Sequence, residues 1–165
     1  MTVTVRAARP EELDAAGDLV LRAYLDDALI EPTDPYCSQL RDAAGRARDS
    51  EVLVALHGDV LAGTVTWCPP PSSHREVAMA GEGEIRGLGV AVPFRGRGVG
   101  EGLVRACVGR AGEADLHAVA LCTATQMGAA QRMYARLGFV RTPARDWLPV
   151  PDLRLLAYRL DLRRS

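Results

Sequence analysis

The sequence contains no lysine; all 20 of its basic residues are arginine. That removes two function classes at once, because a Walker phosphate loop ends in Gly-Lys-Ser/Thr and a pyridoxal-type enzyme needs a lysine for its Schiff base. Surplus positive charge is missing too: 20 basic residues face 21 acidic ones, for a formal net charge of −1. Nucleic-acid domains usually carry a basic excess, so nucleic acid is not an expected partner. No apolar run approaches the roughly 18 residues of a membrane span, and Met1 to Pro10 holds Arg6 and Arg9 in place of an apolar signal core. A soluble, cytoplasmic protein without membrane contact is expected. Cys37, Cys68, Cys107 and Cys122 are far apart and form no C-x-x-C pair, which predicts reduced thiols. His57, His74 and His117 are equally scattered. No metal-ligand spacing exists, and no metal is expected.

What the chain does have is apolar content: 48% of its 165 residues are hydrophobic, enough for one ordinary core and a single domain over residues 1–165. Alternation of Val3 and Val5 predicts a first strand over Thr2 to Ala8. Pro10, followed by Glu11 and Glu12, opens a helix carried by Leu13, Ala16, Val20, Ala23 and Tyr24. Pro32 and Pro35 end it near Ile30, and a weaker helix is expected from about Tyr36 to Arg48. Glu51 to Leu56 and Val60 to Cys68 form a hairpin about a three-residue turn, His57-Gly58-Asp59. Pro69 to Gly83 is a proline-rich loop of the length at which loops tend to be functional, a possible substrate cover. There follow a strand at Glu84 to Val92, a helix from about Gly98 to Gly112, a strand at Ala118 to Thr123 and a short helix from about Met127 to Leu137, ended by Gly138. Phe139 to Thr142 and Leu153 to Leu162 are the closing strands.

The most informative segment is Arg95-Gly96-Arg97-Gly98-Val99-Gly100, between the apolar strand and an amphipathic helix with Val99, Leu103, Cys107 and Ala111 on one face. The first N–H groups of a helix lack intrahelical partners and carry partial positive charge, and glycines let phosphate oxygens come close to the main chain. Arg95 and Arg97 add fixed charge there. The dinucleotide fingerprint is absent, since a third glycine is required where Glu101 or Leu103 stands.

This segment resembles the pyrophosphate loop of the GNAT superfamily of N-acetyltransferases, whose pattern of Arg or Gln, two residues, Gly, one residue, Gly or Ala is filled by Arg95, Gly98 and Gly100. Val90-Ala91-Val92 upstream and Ala130-Gln131-Arg132-Met133-Tyr134-Ala135-Arg136-Leu137-Gly138-Phe139 downstream, like the family's A-x-x-L-Y-x-x-L-G-F helix end, fall in register. The resemblance implies an α+β fold, a twisted, mainly antiparallel sheet of six to seven strands flanked by about four helices. It implies acetyl-CoA as co-substrate, held by Val90, Ala91, Val92, Arg95, Gly96, Arg97, Gly98, Val99 and Gly100. It also implies direct acetyl transfer in a ternary complex to a primary amine, carried by a small molecule, a peptide N-terminus or a protein lysine.

Acyl transfer from a thioester to an amine needs an N–H donor for the carbonyl oxygen, which the resemblance implies comes from the strand main chain at about Leu88 to Val92. It needs an acid for the departing thiolate. Tyr134 is the family-matched phenol, though a tyrosine on the apolar stripe of Ala130, Met133 and Leu137 is equally a packing residue. It needs a base for an ammonium group. Glu84 is the first choice, since the resemblance implies a glutamate base six residues before Val90, as in some members of the family, and a carboxylate at a strand start beside a cleft can have a raised pKa; Glu82, Asp26, Asp27, Glu31 or a water relay are the alternatives. Met127 stands where the family often has an Asn that binds the cofactor arm. Cys122 is the rival nucleophile for a ping-pong route. Asp26, Asp27, Glu31 and Asp34 form an acidic cluster able to attract a cation, and Tyr24, Tyr36, Trp67 and Trp147 are candidate acceptor-pocket residues. Two other classes compete with the enzyme: a noncatalytic acyl-CoA-binding sensor of the same fold and a structural interaction module. A homodimer is the default assembly.

Overall fold

The computed structural model describes residues 1–163. In chain order its elements are β1 (Thr4–Ala7), α1 (Leu13–Asp26), α2 (Tyr36–Arg41), α3 (Ala43–Arg46), β2 (Glu51–His57), β3 (Val60–Cys68) and β4 (Glu82–Val90). These are followed by α4 (Val99–Glu113), β5 (Ala118–Ala124), α5 (Gly128–Arg136), β6 (Val140–Arg141), β7 (Trp147–Val150) and β8 (Leu153–Asp161). The residues group into two compact units, one of Met1–Trp67 with Gly87–Cys107, the other of Cys68–Arg86 with the chain from Val108 onward. Strand β4 contributes its first half to the second unit and its last four residues to the first.

In the first unit β1 pairs antiparallel with β2, and β2 with β3. The alternation of β2 puts Val52, Val54 and Leu56 into one cluster with Ala16 of α1 and Ala43 of α3. Two glycines set how closely α1 is packed. A Cβ on Gly89 of β4 would sit 3.1 Å from the Cα of Val20, and one on Gly17 would run into the carbonyl oxygen of Arg41 in α2. Main chain meets main chain at both places, which only glycine allows.

In the second unit β4 pairs parallel with β5, with rungs from Glu82↔Ala118 to Ile85↔Leu121, while β8 pairs antiparallel with β5, β6 and β7. Gly87, the next residue but one on β4, has φ +60° and breaks the regular strand. Helix α5 closes with Phe139 N–H donating to Tyr134 O at 3.0 Å and Gly138 at φ +96°, the left-handed end anticipated from its glycine.

The fold is the expected mixed α+β class with antiparallel pairing dominant, with eight strands and five helices among the described residues. The extra strand is β7, hidden in sequence by Pro149, which demotes a strand reading yet is tolerated on an exposed strand. The weak second helix is two short ones, because the Asp42 carboxylate accepts from Gly45 N–H and starts α3 afresh. The hairpin turn is Gly58-Asp59 alone, with His57 opposite Val60 and Gly58 at φ +60°. Strand β4 runs two residues earlier than expected, from Glu82 to Val90, and Val92 lies beyond it. Among the described residues no helix is long and apolar enough to cross a membrane.

Candidate functional site

The end of β4 is set by its own sequence. Ala91 N–H donates to Ala62 O at 2.9 Å; then Val92-Pro93-Phe94 turns as a 3₁₀ segment, with Phe94 N–H bonded to Ala91 O and Arg95 N–H to Val92 O. Pro93 has no N–H to extend a ladder. Of the three strand residues expected to meet a cofactor arm, Val90 is therefore in the strand, Ala91 has its N–H engaged, and Val92 is an exposed turn residue.

The loop beyond is open. Gly96 and Gly98 have φ +72° and +81°, and a Cβ built on either meets nothing within 4 Å. Gly96, Arg97 and Gly98 are exposed, whereas Val99 is buried and anchors the start of α4. Gly102 N–H donates to Gly98 O at 3.0 Å, so the N–H groups of Val99, Gly100 and Glu101 precede the first i→i−4 bond of the helix. Amides at such a position, reached past two glycines, have the chemistry to receive phosphate oxygens. Arg95 buttresses this turn from behind: its Nε donates to Val90 O at 3.0 Å and its Nη1 pairs with Asp27 Oδ1.

Glu84 lies in the second unit and is only 1% exposed. Its Oε1 accepts three consecutive main-chain N–H groups, from Glu76 at 2.9 Å, Val77 at 2.8 Å and Ala78 at 2.9 Å. Among the described residues the hydrogen bonds to this carboxylate all fall on that oxygen. Burial raises its pKa above the ordinary carboxylate value, opposed by the three amides and by the nearby charge of Arg86. A buried carboxylate with a raised pKa is chemically suited to take a proton near neutral pH.

The alternative bases are differently employed. Glu82 is buried, which alone would raise its pKa, but the guanidinium groups of Arg145 and Arg159 and the N–H of Met79 hold it down at about 2. So low a pKa suits an ion pair and makes a poor base. Asp27 is the partner of Arg95, and Asp34 accepts from Tyr36 N–H at 2.8 Å. Asp26 and Glu31 are exposed surface acids.

Tyr134 of α5 is 5% exposed, with its ring 5.8 Å from that of Phe139 and 6.1 Å from that of Tyr158. Met127 precedes the helix without capping it through its side chain, and its sulfur receives the Thr123 hydroxyl at 3.4 Å. Burial pushes the Cys122 thiol up to about 11, only partly offset by Trp147 beside it. A thiol so reluctant to ionise is a weak nucleophile, which speaks against the ping-pong route. Trp67 is buried in β3, and Tyr36 is exposed. Two features carry no sequence signal: in the second unit the three amides on Glu84 belong to main chain, and in the first the Asp27–Arg95 pair joins residues of unrelated segments.

A strand running into a glycine-opened helix start, with amides ahead of the first helical hydrogen bond and an arginine beside them, is an arrangement suited to phosphate oxygens. The chain is a member of the acetyltransferase (GNAT) family, whose model matches residues 14–139. Its fold is similar to that of a GNAT-family protein from Desulfovibrio desulfuricans, with TM-score 0.75 and 18% identity over 98% of this chain and 100% of that one. It is equally similar to YncA of Salmonella typhimurium, solved with its cofactor acetyl-CoA, with TM-score 0.75 and 22% identity over 100% and 96% of the two chains. Ribosomal-protein-alanine N-acetyltransferase from Brucella melitensis gives 0.73 and 20% over 96% and 99%. At such identities the likeness is one of fold. A comparison with curated proteins found no match.

Proposed function

We propose that this protein transfers the acetyl group of acetyl-CoA to a primary amine, directly and within a ternary complex. The observation that carries this reading is the start of α4, where the amides of Val99, Gly100 and Glu101 precede the first helical hydrogen bond behind two left-handed glycines. Those residues fit a diphosphate: the backbone is open where a Cβ would stand, and the local charge is positive. The family match, which runs through both units from residue 14 to residue 139, supports a single acetyltransferase domain over residues 1–165.

Acetyl-CoA supplies an activated thioester when bound. Gly96, Gly98 and the amides that follow hold its diphosphate, with Arg97 as exposed counter-charge and Arg95 fixing the turn. An N–H of the Leu88–Val90 main chain receives the carbonyl oxygen as it gains negative charge, a fixed dipole that needs no reorganisation. Glu84 takes the proton of the acceptor ammonium, whose ordinary pKa near 10.4 would otherwise leave it unreactive at neutral pH. The Tyr134 hydroxyl returns a proton to the departing thiolate. The acceptor is a small-molecule or peptide amine; the name of the Brucella protein gives a ribosomal-protein alanine as that protein's own acceptor. The same reading has the protein act in the cytoplasm, with its four cysteines outside any disulfide, and as a homodimer that sizing chromatography would reveal.

The test is thiol release from acetyl-CoA across a panel of amines, peptides and antibiotics. The enzyme turns over with one or more of them and loses turnover in Glu84→Gln. Tight coenzyme binding without turnover on any acceptor would identify the acyl-CoA sensor instead.

A further inference from the structure

Strand β4 places Glu82, Glu84 and Arg86 at alternate positions, and all three reach the same segment of the loop before the strand. Glu82 Oε1 accepts Met79 N–H at 3.1 Å, Glu84 Oε1 accepts the N–H groups of Glu76, Val77 and Ala78, and Arg86 Nη1 donates to His74 O at 2.7 Å and Glu76 Oε1 at 3.2 Å. Arg145 adds a bond to Val77 O at 3.4 Å. The proline-rich segment is thus strapped to the strand along residues 74–79.

We infer that the strap formed by residues 76–78 fixes which oxygen of Glu84 receives the acceptor's proton, by saturating Oε1 with three amides and leaving Oε2 as the basic atom. The inference rests on Glu84 acting as the base in the function proposed above. In the proton transfer the N–H bond of the acceptor ammonium breaks, its electron pair stays on nitrogen, and an O–H bond forms at Oε2; no other reactant is needed. The amides also stabilise the carboxylate against its burial, so they tune the pH at which it is free to act. The titratable and charged groups beside Glu84 are Arg86 on its own strand, Glu76, whose carboxylate pairs with Arg86, on the loop, and Cys122 on β5; His74 is tied to Arg86 through its main-chain carbonyl.

The direct experiment follows the backbone amide resonances of Glu76, Val77 and Ala78 with pH in the intact protein. They should titrate together, at the midpoint of the acidic limb of kcat/KM, keep that midpoint in His74→Gln, and stop titrating in Glu84→Gln. Val77→Pro and Ala78→Pro each delete one N–H, and each should move the acidic limb to higher pH by about one unit; Val77→Gly, which keeps the N–H, should not move it. Independent titration of the three amides, or a shared titration that survives Glu84→Gln, overturns the inference. So does an unmoved limb in the folded proline variants. Full turnover in Glu84→Gln would instead overturn the assignment of the base itself, whatever the amides do.

Discussion

Arg95 and Asp27, 68 residues apart in sequence, are joined by an ion pair that ties the end of α1 to the glycine loop, while the same guanidinium holds the carbonyl of Val90. Their side chains are 34% and 44% exposed, so the pair adds little to global stability, about 0–1 kcal/mol. Its effect is local, on the orientation of the turn that presents the amides. Asp27→Asn should leave the melting temperature within a few degrees of the parent while weakening coenzyme A binding by about threefold to tenfold, roughly 1 kcal/mol. Thermal melts and calorimetric titration check both halves. A large drop in stability with unchanged affinity would show that the pair serves the fold instead.

Tyr134 is held by its ring, against Phe139 and Tyr158, so deleting the hydroxyl alone separates packing from chemistry. Tyr134→Phe should bind coenzyme A as the parent does and lose turnover by about 10²-fold or more, the usual scale of a positioned acid. Parent-like turnover in the folded variant would leave Tyr134 as a packing residue.

Glu82 sits between two guanidinium groups, at 2.6 Å from Arg145 and 2.8 Å from Arg159. Its folded pKa of about 2 lies below the ordinary carboxylate value. The stability it contributes is therefore complete above the unfolded pKa, near 4.3, and is lost as pH falls from there toward 2. Urea unfolding should show a steep loss of stability across that window. In Glu82→Gln the decline should flatten, and stability at pH 7 should fall by about 3 kcal/mol, since two half-buried cations lose the buried carboxylate between them.

Two helical glycines predict opposite outcomes for the same change. Gly109 in α4 is exposed with nothing near its missing Cβ, so Gly109→Ala should stabilise by about 0.5–1 kcal/mol. At Gly17 the new methyl would strike the Arg41 carbonyl, and Gly17→Ala should destabilise by about 1–3 kcal/mol. Denaturant midpoints of the two variants settle the signs.

The parts of the site legible in sequence are those whose residues are neighbours along the chain. Gly96 and Gly98 run directly into the apolar face of α4, and Gly138 ends α5, so periodicity and turn chemistry located these helix ends, while Tyr134 was singled out by the family resemblance alone. The strap on Glu84 was not legible because its donors are main-chain amides, which every residue but proline possesses. Glu82 and Glu84 look alike as carboxylates at the start of a strand, and only the arrival of Arg145 and Arg159 from distant segments tells the ion pair from the candidate base. Val92 reads as a strand residue by its β-branched side chain, yet Pro93 beside it and the bond from Arg95 N–H to its carbonyl put it in a turn. Local propensity yielded there to backbone hydrogen bonding.

The central claim is that the start of α4 grips the diphosphate of coenzyme A, and calorimetric titration of the purified protein with that coenzyme, beside Gly98→Glu, tests it most directly. The glutamate would be strained at φ +81° and would set its own carboxylate against the amides and the incoming phosphate. The account predicts saturable binding by the parent and none by a Gly98→Glu protein that retains the parent's circular dichroism. Absence of binding by the folded parent, or equal binding by the variant, would contradict it.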